Sequence, residues 1–286
     1  MKRIFSYVAL IFLCACSGDF VLEYEPELVV EGWIESDGYP VVIVTSTVPI
    51  EDKYIPLDSL QNHLIRWAKV SVSDGEQEVV LTGRMNNDYF PPYIYTTSRL
   101  KGQAGKKYKL KVEYSGRVVT AETTIPAPVP LEWIKVRSSE DGDRYLTAGL
   151  KDDPEEKNYY KFFTKVVGKD SSYVSSFMGL IDDEMLSDDI NEVIIRGEFE
   201  PDFGKSESSV YYSEGDMVLV RFCTLDKAAF DYWEDHEDII SLSLNPFFPV
   251  NKKMRSNIST GYGYWAGYGS TYYRVPVVDS LYLGNK

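Results

Sequence analysis

Residues 108–114 read Tyr108-Lys-Leu-Lys-Val-Glu-Tyr114. Tyr108, Leu110, Val112 and Tyr114 fall on one side of an extended chain, and Lys109, Lys111 and Glu113 on the other. This period of two marks a strand with one buried and one wet face. Ser115-Gly116 follows as a two-residue hairpin turn, and Val118 to Ile125 reads as the return strand. Tyr108, just after Gly105-Lys-Lys, stands where a tyrosine corner would. Upstream, β-branched and aromatic runs separated by turn residues lie at 28–34, 41–47, 68–73, 78–82 and 93–96. About seven strands in this length predict an immunoglobulin- or fibronectin-like β-sandwich over residues 28–126.

Ile125-Pro-Ala-Pro-Val-Pro130 ends that pattern, since alternate prolines cannot donate to a sheet ladder and make a stiff extended connector. Residues 127–286 then read as a second β-rich domain. Strands are predicted at 133–136, 145–150, 159–167, 210–212, 217–223 and 262–268. One short helix is predicted from Lys227 to Leu242, where Ala229, Phe230, Trp233, Glu237 and Ile240 recur at near-helical spacing behind a capping Asp226. The fold class is therefore mainly β, two β units with a single helix.

The N-terminus carries a different kind of signal. Lys2 and Arg3 precede an apolar run from Ile4 to Leu13, and Leu13-Cys14-Ala15 stands before Cys16. A basic start, a short apolar core and a small residue before the cut are the parts of a secretory signal. With cysteine next, the stretch resembles a bacterial lipobox. That implies removal of residues 1–15 and acylation of Cys16, with residues 16–27 as an acidic tether to the lipid bilayer. An ordinary signal peptide with an incidental cysteine is the alternative. The run is too short for a spanning helix, which needs about 20 apolar residues. Each buried lipid methylene contributes about 0.8 kcal/mol and one chain holds a protein only marginally, so two or three chains give durable attachment.

With 44% hydrophobic and 14% aromatic residues the body can bury a substantial core. Its formal net charge of -14 repels phosphate backbones, which argues against a nucleic-acid partner. Of three cysteines, Cys14 leaves with the signal and Cys16 takes the lipid. Cys223, inside an apolar run, reads as a small buried side chain, and the fold must stand on packing without a disulfide.

Several stretches together resemble one family. They are the lipobox, Leu28-Val-Val-Glu-Gly-Trp-Ile34, the Ala-x-Thr-x-Ile-Pro ending at Pro126, Asp153-Pro154, and Asn158-Tyr-Tyr160. Glu214-Gly-Asp216, Asn245-Pro-Phe247, Ser256-Asn-Ile258, Gly261 and Gly267-Tyr268 complete the set. The chain resembles the Bacteroidota lipoproteins filed as domain of unknown function 4249 over nearly its whole mature length. The resemblance implies an outer-membrane lipoprotein, often encoded beside a TonB-dependent barrel, and carries over no catalytic or ligand-binding residue. Cys16 is followed by Ser17-Gly18-Asp19, a thin acidic run for surface export, so the expected cell-surface display leaves the periplasmic face open.

Catalytic signatures are sparse. His63 and His236 are the only histidines, and no Gly-x-Ser-x-Gly, His-Glu-x-x-His or Cys-x-x-Cys occurs. Acids cluster at Asp182-Asp-Glu184 with Asp188-Asp189, and at Asp231, Glu234, Asp235, Glu237 and Asp238. Neither cluster has the Asp-x-Asp-x-Asp-Gly order of a calcium loop, and both read as solvated faces. No cofactor or metal is expected, and no paired-carboxylate hydrolase site can be nominated. Two aromatic stretches are the binding candidates. In Gly261-Tyr-Gly-Tyr-Trp-Ala-Gly-Tyr268, Tyr262, Tyr264 and Tyr268 share a face opposite Trp265. In Asn86-Asn-Asp-Tyr-Phe-Pro-Pro-Tyr93, prolines stiffen a loop bearing Tyr89, Phe90 and Tyr93. Exposed, such rings stack sugars or dock a partner; buried, they are β core. The sequence thus points to a non-enzymatic binding lipoprotein for glycan or peptide, working beside a TonB-dependent outer-membrane barrel. A carboxylate hydrolase and an adhesive envelope protein are the alternatives.

Overall fold

The computed structural model describes residues 25–48, 61–199, 210–243 and 252–284. The signal and lipobox readings, Cys16 included, lie outside these residues, as does the tether up to residue 24. The N-terminal half supplies β1 (Leu28–Glu35), β2 (Val41–Ser46), β3 (Lys69–Ser73) and β4 (Glu78–Val80). It continues with β5 (Thr82–Met85), β6 (Tyr93–Thr96), β7 (Lys107–Tyr114) and β8 (Arg117–Thr124). Beyond the prolines come β9 (Trp133–Ser138), β10 (Arg144–Leu150), β11 (Tyr159–Val166) and β12 (Val174–Asp182). The last strands are β13 (Asn191–Ile195), β14 (Met217–Leu225), β15 (Tyr262–Pro276) and β16 (Tyr282–Gly284), with helix α1 (Lys227–Ser243) between β14 and β15.

The chain is mainly β, and among the described residues its strands form three sheets. Eight strands build one long sheet in the order β12-β11-β14-β15-β1-β2-β6-β5. Two four-stranded sheets, β4-β3-β7-β8 and β13-β10-β9-β16, complete the set. In the first of these, Tyr108, Leu110 and Val112 of β7 are buried as their alternation requires. Ser115 and Gly116 both have positive φ, the backbone of a tight hairpin. The Tyr108 hydroxyl accepts from the Gln103 N–H at 2.9 Å, so the corner reading holds.

The boundary read at Ile125–Pro130 parts two apolar cores but not two sheets. Val30, Val42 and Val44 of the long sheet pack with Val70, Leu110 and Val119 in the first core. Phe162, Val220 and Val275 of the same sheet pack with Ile134, Leu146 and Ile195 in the second. The seam is β15, which runs parallel to β1 from Tyr262 to Tyr268 and antiparallel to β14 from Tyr268 to Pro276. Residues 28–126 therefore do not close a self-contained sandwich: one of its sheets is completed from the C-terminal half. Parallel pairing between residues more than 200 positions apart leaves no local trace in the sequence, because it needs no turn between the partners.

Alternation along the long sheet assigns its other face. Odd-numbered residues of β1, β11 and β14 and even-numbered residues of β15 point away from both cores. On this face Tyr159, Phe163, Cys223, Leu225, Tyr264 and Tyr268 pack with Phe230 and Trp233 of α1. Asp226 caps the helix by accepting from the Ala229 N–H at 2.8 Å. The helix covers only part of the face, and the uncovered remainder holds the site described next.

Four strands escaped the sequence reading, among them β5, of which only Thr82 falls in the run read at 78–82. β12 is rich in serine and glycine, and β13 and β16 are short edge strands of five and three residues. The strand predicted at 210–212 reduces to a single bridge between Tyr212 and Arg144.

Candidate binding site: an aromatic pocket on the open sheet face

A pocket of ≈ 520 Å³ opens on the uncovered face, within the size range of small-molecule sites. β1 supplies its spine: Glu31, Trp33 and Glu35 are alternate residues and all line it. From β15 come Tyr264, Tyr268 and Tyr272, and from β14 and β11 come Arg221 and Phe163. The wall away from the helix is the loop after β5, which brings Tyr89 and Phe90. Tyr89 tilts against Trp33 with ring centroids 5.9 Å apart.

The polar centre is an ion pair. Arg221 Nη1 donates to Glu35 Oε1 at 3.2 Å, and the Tyr272 hydroxyl donates to Glu35 Oε2. Both charged side chains are about nine-tenths buried. The guanidinium lies 4.2 Å from the Phe163 ring centroid and 5.1 Å from that of Tyr173, an aromatic sandwich for a cation. Burial alone would lower the basicity of Arg221; the Glu35 carboxylate, together with Cys223, Tyr272 and Tyr268 around it, offsets this and holds it charged. Arg221 Nε is buried and has no hydrogen-bond partner.

At the other end of the spine, Glu31 Oε1 accepts from the Tyr264 hydroxyl at 3.1 Å. Glu31 is exposed to solvent at the pocket. Partial desolvation by the surrounding protein raises its carboxyl above the usual range, with the Tyr264 hydrogen bond opposing. Burial likewise raises Tyr264, Tyr268 and Tyr272, so their hydroxyls stay protonated at neutral pH.

Of the seven aromatic candidates, four meet here: Tyr89, Phe90, Tyr264 and Tyr268. Two stretches read as separate sites are thus walls of one pocket. The other three lie elsewhere. Trp265 points to the opposite face, is 0% exposed, and donates its indole N–H to Tyr108 O at 3.2 Å; it is core. Tyr93 packs beside the first core with its hydroxyl on Arg66 O, and Tyr262 lies under Lys253 at the start of β15. Nor is the row on β15 an open strip: Tyr264 and Tyr268 are almost wholly buried. Glu31, Trp33, Glu35, Phe163 and Arg221 were missed. Only Trp33, in the middle of an alternating run, offered a signal.

The acidic clusters are paired rather than simply solvated. Asp182 and Asp183 bind Lys157, while Asp235 accepts from Lys252 and Arg255. Glu237 holds the buried Lys161, whose desolvation lowers its basicity. Among the described residues no group of three or more histidine, cysteine or acidic side chains is placed to hold a metal ion. His63 Nδ1 and Ser46 Oγ share a hydrogen bond at 3.3 Å.

A family model, described as Domain of unknown function (DUF4249), matches residues 19–274. No curated protein matches the chain.

Proposed function

This chain belongs to the DUF4249 family, and we propose that it is a lipid-anchored, non-enzymatic binding protein of the outer membrane. It captures a small ligand on the open sheet face and works beside a TonB-dependent barrel. The observation that carries this reading is the pocket itself, in which two aromatic walls from opposite ends of the chain enclose a preformed polar centre. Acylated Cys16 fixes the pocket near its partner, which raises effective concentration without any new contact.

Glu35 is engaged by both Arg221 and Tyr272, which favours capture over hydrolysis.

The test is to tag the C-terminus, solubilise membranes gently and identify what co-purifies. A barrel transporter in stoichiometric amount supports the reading. A lone monomer that degrades polysaccharide overturns it. Cys16→Ala should move the protein out of the membrane fraction, and unchanged fractionation would refute the lipid anchor.

A further inference from the structure

Three cationic side chains line the pocket, Arg84, Lys165 and Arg221, and three acidic ones, Glu31, Glu35 and Asp88. In a chain whose formal net charge is -14, this is a locally balanced surface. Balance disfavours a ligand chosen for its charge. A carboxylate or phosphate would meet Arg221 already neutralised by Glu35, and a quaternary amine would meet the cations opposite its aromatic cage.

The arrangement along β1 narrows the choice. Trp33 has Glu31 on one side and Glu35 with Arg221 on the other, each two residues away and so about 7 Å along the strand. A flat apolar platform thus lies between an acceptor and a donor–acceptor pair. Arg221 itself is nine-tenths buried and lines the cavity. A ligand matched to this presents C–H groups on its faces and groups that both donate and accept around its rim. Ring faces stack on aromatic π-systems, and hydroxyls can satisfy carboxylate and guanidinium together.

Resting on the capture reading above, we propose that the ligand is a neutral saccharide, one ring of which packs against the Trp33–Tyr89 aromatic pair while its hydroxyls bridge Glu31 and the Arg221–Glu35 pair. The pocket volume suits a short oligosaccharide rather than a polymer threaded end to end. A raised Glu31 carboxyl fits this role, since in either protonation state it can hydrogen-bond a hydroxyl.

The test is a tryptophan-fluorescence titration of the full chain in detergent with neutral gluco-, xylo- and manno-oligosaccharides, the matching uronic-acid oligosaccharides, and glycine betaine. Trp33 and Trp233 both line the pocket, so occupancy changes the signal. Saturable binding of a neutral oligosaccharide is expected, weakened roughly tenfold or more by Trp33→Ala and by Tyr89→Ala. Tyr89→Ala guards against a Trp33 variant that fails to fold. Trp67→Ala is the control, because Trp67 is 89% exposed and outside the pocket. Binding that survives both pocket substitutions overturns the site. Tighter binding of uronates or betaine, or no neutral binding up to about 10 mM, overturns the ligand class. Those last results leave the capture reading standing if the barrel still co-purifies, so the two failures are distinguishable.

Discussion

Arg221 of β14 and Glu35 of β1 meet at 3.2 Å across the intervening strand β15. The pair joins the two halves of the chain above a buried sheet and polarises the pocket at the same place. Its charges are shielded from water, so removing one strands the other.

Arg221→Ala or Glu35→Ala should therefore cost about 3–5 kcal/mol, as expected when one partner of a buried pair is deleted. The double replacement Arg221→Ala with Glu35→Ala should cost much less than the sum, because neither charge is left unpaired. Tyr272, which is about half exposed, can then turn its hydroxyl to water. Urea unfolding of the three variants gives the coupling directly. Additive losses would mean the pair is not the buried unit described.

Gly267→Ala should destabilise the shared sheet without touching the pocket. A Cβ there would sit 2.6 Å from Thr124 O, where the end of β8 passes over β15. Backbone cannot swing aside as a flexible side chain can, and overpacking of this kind costs about 1–3 kcal/mol. A drop in Tm with unchanged fluorescence response to ligand is the expected pattern; an unchanged Tm would contradict the close approach.

That glycine also shows what was legible. The alternation of tyrosine with glycine from 261 to 268 is visible in the sequence, and it correctly marks a strand packed closely against a facing layer. The partner of that strand is not visible, because β1 lies more than 200 residues away and the pairing is parallel. The same limit hid the site. Tyr89 and Tyr264 each read as aromatic candidates, yet only the join between β1 and β15 puts them in one pocket. Glu35 and Arg221 looked like ordinary charges within apolar runs, since their burial depends on strands from both halves. Local patterns, such as the Tyr108–Tyr114 strand and the Asp226-capped helix, were read directly because period and cap lie in adjacent residues.

Asp235 should control the acid limb of stability around α1. Its side chain is 1% exposed and accepts from Arg255 at 2.7 and 2.9 Å and from Lys252 at 2.7 Å. The Arg255 hydrogen bonds first, and Lys252 after them, hold its carboxyl well below the usual range against the cost of burial. A depressed folded pKa stabilises above the unfolded value of about 3.9 and is lost as pH falls below it. Asp235→Asn should lower stability by roughly 1.5–3 kcal/mol at neutral pH, where a charged hydrogen bond is lost. It should also flatten the fall in stability below about pH 4. Chemical denaturation at pH 7, 4 and 3 decides it: parallel curves for wild type and variant would assign the acid limb to other carboxylates.

Cys223 should be chemically silent in the folded protein. It lies on the helix-covered side of the long sheet, fully buried beside Phe163 and Tyr268, with Ser270 Oγ 3.4 Å from its sulfur. Burial pushes the thiol up to about 12, with Arg221 opposing, so almost no thiolate exists at neutral pH. The unfolded chain carries an ordinary thiol near 8.5. A raised folded pKa contributes stability that is intact below that value and fades as pH climbs from about 8.5 toward 12. Iodoacetamide labelling followed by peptide mass spectrometry should find Cys223 unmodified at pH 7.5 in the native protein and fully alkylated in denaturant. In intermediate urea its labelling should follow the unfolding transition. Cys223→Ser puts a hydroxyl where the sulfur is buried and should reduce stability, whereas Cys223→Ala loses only a small apolar group and should be the milder change. Rapid labelling under native conditions would show that α1 opens away from the sheet, and with it one wall of the pocket.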